Sequence, residues 1–341
     1  MHRRLPLMRA LVAAVLACLL AGVAAGARAQ WSDAVAPPPP RPAADGSYQP
    51  RVGQEGKDVI WVPTPPALVT RMLQLAQTTS RDFVVDLGSG DGRIPIAAVK
   101  QFGAHALGIE YNPDLVVLSL RLAREAGVAG RAQMVQGDIF EKDFSRATVV
   151  TTYLLPELNA RLRPTLLAMS PGTRVVAHLF GMGDWPPDET SYVGGRPAFL
   201  WIVPAHVAGR WRFEVASGAG EPGHVFSADL DQQFQKVSGV VTFGPGDASA
   251  LPAASGLTTT HAAGGMTTTL VNPQLRGDAF HFAVTDVDGV VRVYRGRVDG
   301  TVMSGIAEVR RMASDRNASG RGVARLLRWQ AVRIGDSPAP N

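Results

Sequence analysis

The chain has 341 residues, 46% hydrophobic and 18% charged, with a formal net charge of +5. That length accommodates two domains with packed cores. Arg3, Arg4, Arg9 and Arg28 lie in residues 1–29, which hold no acid, so the remainder carries 30 basic residues against 29 acidic ones. With no polybasic run, the composition gives no ground for a nucleic-acid partner.

Residues 1–29 combine a basic start, an apolar run from Ala10 to Gly26 and "ARA" at 27–29. This is the layout of a signal peptide cleaved after Ala29, with the body exported, in a bacterium to the periplasm. The alternative is an uncleaved inner-membrane anchor with the arginines left in the cytosol. Cys18 is the only cysteine and sits inside the apolar run, which continues past it and so argues against a lipidation box. The exported body would have no thiol chemistry.

Residues 30–57 include "VAPPPPRPA" and read as a proline-rich linker, with order expected to begin near Asp58. "WVPTPPALVTRMLQLAQ" then predicts a helix with Thr64 as its N-cap and prolines in its first positions. Strands are predicted over 82–87, 105–110, 132–137, 147–153 and 173–180, and helices near 92–101, 113–126 (with Gly127 as its stop) and 156–168. This alternation predicts a parallel sheet covered on both faces over residues 58–205, with 198–204 closing its far edge. After Ala205 the helical period disappears. Phe280, Phe282 and Val284 alternate with His281 and Ala283, and "VDG" recurs at 287–289 and 298–300 as a hairpin signal. Residues 207–336 therefore predict an antiparallel β-domain with a long loop over 245–265. "GRW" at 209–211 and "RWQAVR" at 328–333 look like the closure of a lipocalin-type barrel; a sandwich with two tryptophans in its core fits equally.

"DLGSGDG" at 86–92 ends the first strand and opens a helix, where a ligand approaches backbone closely and side chains obstruct it. Gly88, Gly90 and Gly92 follow G-x-G-x-G spacing rather than the G-x-G-x-x-G of dinucleotide sites. Asp86 before them suits a cation better than a pyrophosphate. S-adenosylmethionine has an ammonium and a sulfonium and no phosphate. Glu110 ends the second strand, where a carboxylate takes ribose hydroxyls. In "GDIF" at 137–140, Asp138 is placed for the adenine amino group and Ile139 for its ring.

These motifs, in this order at successive strand ends, resemble the class I S-adenosylmethionine-dependent methyltransferases, which implies an α/β, Rossmann-like fold and S-adenosyl-L-methionine as cofactor. "VPTPPALVTRMLQLA", "DLGSGDGRI", "GIEYNPDLV" and "TYLLPELNARLRP" are similar to a family of protein-lysine methyltransferases with bacterial and mitochondrial members. That resemblance implies that Thr64 and its neighbours, with Ser89 in the glycine loop, enclose the cofactor. It also implies a protein lysine as acceptor, carried in mitochondrial members by membrane proteins. The β-domain lies outside the family pattern.

Strand-end geometry places Tyr153, Pro156, Glu157 and Asn159 near an approaching acceptor. Tyr153 and Glu157 are the catalytic candidates, the first shaping an apolar slot and the second attracting an ammonium. Tyr153 is equally explained as a packing residue, Glu157 is better explained as an acid in the first turn of a helix, and His178 is better explained as a core histidine than as a base. "GMGDWPPD" at 181–188 is either a lid carrying Asp184 and Trp185 or only an irregular crossover. No H-x-H, H-E-x-x-H or G-x-S-x-G spacing occurs, so neither a metal site nor a serine nucleophile is expected. Competing readings are an exported binding protein without turnover, a small-molecule methyltransferase and a nicotinamide oxidoreductase; the glycine spacing opposes the last.

Overall fold

The computed structural model describes residues 48–218, 223–244, 261–262, 265–285, 290–310 and 325–335. Residues 1–29, read above as a signal peptide, the polyproline run, most of the 245–265 loop and the "VDG" at 287–289 lie outside the described residues. Among those described, no helix is long and apolar enough to cross a membrane.

Helix α1 (Pro66–Leu75) precedes strand β1 (Phe83–Leu87). There follow α2 (Arg93–Phe102), β2 (His105–Glu110), α3 (Pro113–Glu125), β3 (Ala132–Gln136), β4 (Val149–Thr152), α4 (Pro156–Leu167) and β5 (Arg174–His178). Asn112 caps α3, accepting from the Asp114 and Leu115 amides, and Gly127 ends it at φ 70°. The cap expected of Thr64 does not form. Pro65 takes that position, and Thr64 is buried and directed elsewhere.

The sheet order is β3-β2-β1-β4-β5-β7-β6, where β6 is Glu189–Val193 and β7 is Arg196–Ile202. Strands β1 to β5 are parallel, and the chain reverses its direction of winding between β1 and β4. The far edge differs from expectation. β7 runs antiparallel beside β5, and the edge itself is β6, a polar strand hairpinned to β7 through Gly194 and Gly195. Its Glu-Thr-Ser-Tyr-Val sequence offers no apolar run, because an edge strand buries little. β1, β4 and β5 are buried almost throughout, as a sheet covered on both faces requires.

Residues 50–57, assigned above to the linker, are instead part of the folded body. Gly53 N–H donates to the Trp61 carbonyl and Trp61 N–H to the Gln54 carbonyl, each at 2.9 Å, and Glu55 bridges Ile60. This strap crosses the carboxyl ends of the parallel strands.

The second sheet is an antiparallel meander: β8 (Gly209–Val215), β9 (His224–Gln233), β10 (Lys236–Phe243), the short β11 (His261–Ala262), β12 (Gly265–Thr269), β13 (Val271–Arg276), β14 (Ala279–Thr285), β15 (Val291–Asp299), β16 (Val302–Arg310) and β17 (Arg325–Gly335). β11 and β12 replace part of the loop expected over 245–265. Only Leu270 separates β12, which pairs with β10, from β13, which pairs with β14, while β17 pairs back onto β8. The ten strands thus form one sheet curled into a nearly closed barrel, which favours the barrel reading over a two-sheet sandwich. Trp211 on β8 is fully buried and the Arg333 guanidinium of β17 lies 4.8 Å from its ring centroid, as the barrel-closure reading expected. The interior is filled among the described residues: Phe213, Phe226, Phe280, Phe282, Tyr294 and Trp329 stack on one another with ring centroids about 5–6 Å apart. The strand expected at 280–284 has Phe280, Phe282 and Val284 buried, as predicted.

The barrel is joined to the parallel sheet at the end opposite the strand carboxyl termini. Ala205 N–H donates to the Gly277 carbonyl at 2.8 Å, and a Cβ on Gly277 would lie 3.0 Å from Gly172, which precedes β5. At the β9–β10 turn, Phe234 stacks on Trp185 at 6.0 Å, and Gln235 accepts from Trp185 Nε1 and donates to the Pro186 carbonyl. Trp211→Ala is expected to lower the unfolding free energy by about 3–5 kcal/mol, through lost burial and the cavity left behind. Denaturant unfolding followed by tryptophan fluorescence measures it; a loss under about 1 kcal/mol would mean that the closure ring is not part of the core.

Candidate functional site

A cavity of ≈ 290 Å³ opens above the carboxyl ends of β1 to β4, at the reversal point of the sheet. Thr64, Asp86, Gly88, Ser89, Gly90, Glu110, Asp138, Ile139 and Tyr153 all line it. Residues chosen from five separate stretches of the sequence therefore converge on one space.

The glycine loop has φ of 77°, 55° and 77° at Gly88, Gly90 and Gly92, backbone that a side chain rarely permits. Gly88 and Ser89 both donate their amides to the Ile109 carbonyl, and Gly90 N–H donates to Glu110 Oε2 at 2.8 Å. The other Glu110 oxygen accepts from Asn112 N–H at 2.9 Å. Each carboxylate oxygen keeps further acceptor capacity. Gly92 departs from its expected role, since it does not line the cavity. A Cβ there would fall 2.7 Å from Met134 Cε and 2.9 Å from Ser119 Cβ, so this glycine lets α2 pack on β3 and α3.

Asp86 is 3% exposed and accepts from Thr151 Oγ1 at 2.6 Å. Burial pushes its carboxyl up to about 7; the Thr151 hydrogen bond opposes this, and the nearby charges of Glu110 and Asp91 add to it. Asp138 is the opposite case. Its Oδ2 pairs with Lys57 Nζ at 2.5 Å, and the hydrogen bond from Lys57, then that from the Phe140 amide, hold it below the usual carboxylate range.

Sequence reasoning missed the strap. Lys57 reaches Asp138 and lies 4.8 Å from the centroid of Tyr111, which also lines the cavity. A Cβ on Gly90 would come within 2.6 Å of Trp61 Nε1, so the indole covers the glycine loop. Neither residue belongs to a periodic pattern; the only available signal was their closeness to "VPTPP".

On the acceptor side Tyr153, Leu155, Leu158 and Phe180 form an apolar wall. Glu157 is not part of it. It is exposed in the first turn of α4, as the helix-dipole explanation has it. Asn159 is buried and donates to the carbonyls of Leu154, Phe180 and Gly181, so it fixes backbone rather than meeting an acceptor. Pro156 opens α4 without lining the cavity. Of the two readings of 181–188 the lid falls and the irregular crossover holds: Trp185 is buried against Trp201 and Phe234, and Asp184 pairs with Arg163. His178 is 2% exposed behind Tyr153, and burial pushes its imidazole down to about 4, so it is neutral near pH 7.

An adenosyl sulfonium fits this site on its donors and acceptors. Asp86 and Glu110 offer acceptors to hydroxyl, amino and cationic groups, and the buried Ser89 Oγ has no partner. Among the described residues no cluster of His, Cys, Asp and Glu is arranged to hold a metal ion.

Fold and cavity together define a Rossmann-like, S-adenosylmethionine-dependent methyltransferase. Residues 86–189 match the ANTKMT methyltransferase domain family. A protein-lysine N-methyltransferase of Saccharolobus islandicus (strain REY15A) is 42% identical over 154 residues, 43% of this chain and 96% of that protein. An ATP synthase lysine N-methyltransferase of Mus musculus is 39% identical over 127 residues, 37% of this chain and 49% of that protein. The crystal structure of an RNA methyltransferase from Salinibacter ruber in complex with S-adenosyl-L-homocysteine is 51% identical, covering 43% of this chain and 96% of that one, with a TM-score of 0.42. The chain thus spans nearly all of the Saccharolobus relative and about half of the mouse one. The chain belongs to the protein-lysine N-methyltransferase family.

The raised Asp86 carboxyl has a consequence for stability. A folded-state acid pKa above the unfolded value makes the native state bind more protons between about pH 4 and 7, so stability falls as pH rises through that window. Asp86→Asn is expected to stabilise the ligand-free protein on the order of 2–4 kcal/mol at about pH 8, with the gain fading towards about pH 4. Tm measured against pH for both proteins tests this; a gain independent of pH would show that Asp86 is ionised throughout.

Proposed function

We propose that the chain transfers a methyl group from S-adenosyl-L-methionine to the side-chain amine of a protein lysine. The observation carrying this reading is the convergence of Asp86, the Gly88–Gly90 turn and Glu110 on one cavity beside an apolar wall, in a chain similar over 154 residues to a protein-lysine methyltransferase. Asp86, Gly88, Ser89, Gly90, Glu110, Asp138, Ile139 and Thr64 would hold the cofactor, which supplies an electrophilic methyl on a sulfonium.

The chain's own part is placement and desolvation. Asp86, which has no basic partner among the described residues, favours a cation beside it and is drawn to its ionised form by one. Tyr153, Leu155, Leu158 and Phe180 surround an incoming amine with apolar surface. That lowers the pKa of an ammonium and favours loss of its proton to water before transfer. Burial raises the Tyr153 hydroxyl pKa, so it stays neutral and donates or accepts a hydrogen bond without charge. Membrane proteins are a candidate acceptor class, supported by the mouse relative, which is named for the ATP synthase.

Saturating S-adenosylmethionine or S-adenosylhomocysteine at about 100 times Kd is expected to stabilise the fold by about 2.7 kcal/mol, and NAD not at all. Asp86→Ala and Glu110→Ala should each abolish the thermal shift while remaining folded. A larger shift with NAD, or full binding by both variants, would defeat the reading.

The layout of residues 1–29 supports export with cleavage after Ala29, and the change of pattern after Ala205 supports residues 58–205 and 207–336 as two functional units. In a bacterial host, the protein recovered outside the cytosol should begin at Gln30. Recovery of an intact N-terminus from the cytosol alone would count against export.

A further inference from the structure

His178 takes no part in the scheme above, yet it joins both sides of the cavity. Its Nδ1 lies 3.1 Å from Thr64 Oγ1, and its ring centroid lies 3.8 Å from that of Tyr153, tilted by 36°. The Thr64 carbonyl accepts from Arg93 NH1 at 2.9 Å. Arg93 in turn donates through Nε to Asp91 Oδ1 at 2.9 Å and through NH2 to Asp91 Oδ2. Asp91 belongs to the glycine loop and lines the cavity. A continuous series of contacts therefore runs from the cofactor loop through Asp91, Arg93, Thr64 and His178 to Tyr153 on the acceptor wall. Thr64 and His178 are 3% and 2% exposed, so their link is shielded from water, where hydrogen bonds are most costly to break; the Asp91 and Arg93 side chains at the outer end are partly exposed.

The chemistry of His178 suits positioning rather than proton transfer. Its Nε2 is buried without a partner, and the ring is not on the cavity surface. One nitrogen is held by Thr64 and one face is held against Tyr153, so the imidazole has a fixed orientation. Tyr153 lies between that ring and Phe180, whose centroid is 6.3 Å from its own. Tyr153 has no hydrogen-bonded anchor of its own among the described contacts, so its ring position depends on these two neighbours.

Resting on the methyltransferase reading, we propose that His178 is a positioning residue that couples occupancy of the glycine loop to the placement of Tyr153, and so completes the acceptor slot only when the cofactor is present. A coupling of this kind needs an element that both sites bias; here that element is the Thr64–His178–Tyr153 stack.

The test separates the ring from the hydrogen bond. His178→Phe keeps an aromatic face for Tyr153 and loses the link to Thr64. His178→Asn keeps a polar partner for Thr64 and loses the face. The full chain is labelled with 3-fluorotyrosine and the Tyr153 resonance is assigned by Tyr153→Phe. Fluorine spectra are then recorded with and without saturating S-adenosylhomocysteine, with calorimetry reporting ligand affinity. The expected result is a wild-type Tyr153 resonance that moves on ligand addition. In His178→Phe it should be sharp but unresponsive, and in His178→Asn broadened in both states, with affinity changed by less than about tenfold, about 1.4 kcal/mol. A His178→Phe resonance that moves as in the wild type would overturn the coupling. So would a wild-type resonance that ignores bound ligand. Absence of any calorimetric signal in the wild type would instead remove the cofactor reading on which the proposal stands. If either variant fails to fold, Thr64→Val and Thr64→Ser test the hydrogen bond alone, at ligand concentrations that calorimetry shows to saturate each variant: only the serine should preserve the ligand-dependent movement, and movement retained in the valine would overturn the coupling.

Discussion

The turn from β1 into α2 governs the rest of the site. Two successive amides, those of Gly88 and Ser89, converge on one carbonyl, Ile109, and the next glycine amide is taken by the Glu110 carboxylate. These bonds lock the turn onto the neighbouring strand, and they are possible only with left-handed backbone at Gly88 and Gly90. The neighbouring strand has to yield as well. A Cβ on Gly108 would lie 2.5 Å from Ser89 Oγ and 2.7 Å from Met134 Sδ. Thus one close approach of backbone to backbone orients Glu110, keeps Asp86 at the cavity floor and starts α2 in a direction compatible with α3.

The electrostatics follow from that packing. Asp86 and Glu110 share a common space and have no basic partner among the described residues, whereas Asp138 is paired with Lys57 and Asp91 with Arg93. Burying an acid without a cation is costly, and the raised Asp86 pKa expresses the cost. Such a group is explained by what it meets when the site is filled. A phosphate would add repulsion; a sulfonium or ammonium would relieve the penalty. The same argument accounts for the apolar wall opposite. Tyr153, Leu155, Leu158 and Phe180 offer no charge to retain an ammonium in its protonated form, so a cation is welcomed on one side and neutralised on the other.

Much of this was legible in the sequence because periodicity and strand-end chemistry carry it. The strand read at 105–110 has the same limits in the structure, and the acids at 86, 110 and 138 were found because they lie at or just past the ends of parallel strands. What was not legible depends on contacts without a period. The strap from Arg51 to Trp61 is held by a few backbone bonds, by Lys57 on Asp138 and by Trp61 over the glycine loop, and no local rule foretells these. Gly92 was misplaced because spacing alone cannot distinguish a glycine that faces a ligand from one that faces Met134. Glu157 illustrates the converse: an acid after a strand end suggests chemistry, yet the first turn of a helix already accounts for it.

The barrel shows how a second sheet is attached without intruding on the first. Its joints lie at Gly172, Ala205 and the Trp185–Phe234 contact, away from the carboxyl ends of the parallel strands. Its interior, where a lipocalin-type barrel would offer room for a ligand, is occupied by stacked aromatic rings. The segment that connects the two regions is the crossover after β5. It leaves the strand at Leu179, in left-handed backbone unusual for a leucine, presents Phe180 to the cavity, and ends with Trp185 against the barrel. Asn159 and Arg163 of α4 hold its carbonyls in between. Strained backbone persists where surrounding contacts over-determine it; here α4 and the barrel hairpin grip the same crossover, so the acceptor wall is set by the whole body rather than by its local sequence.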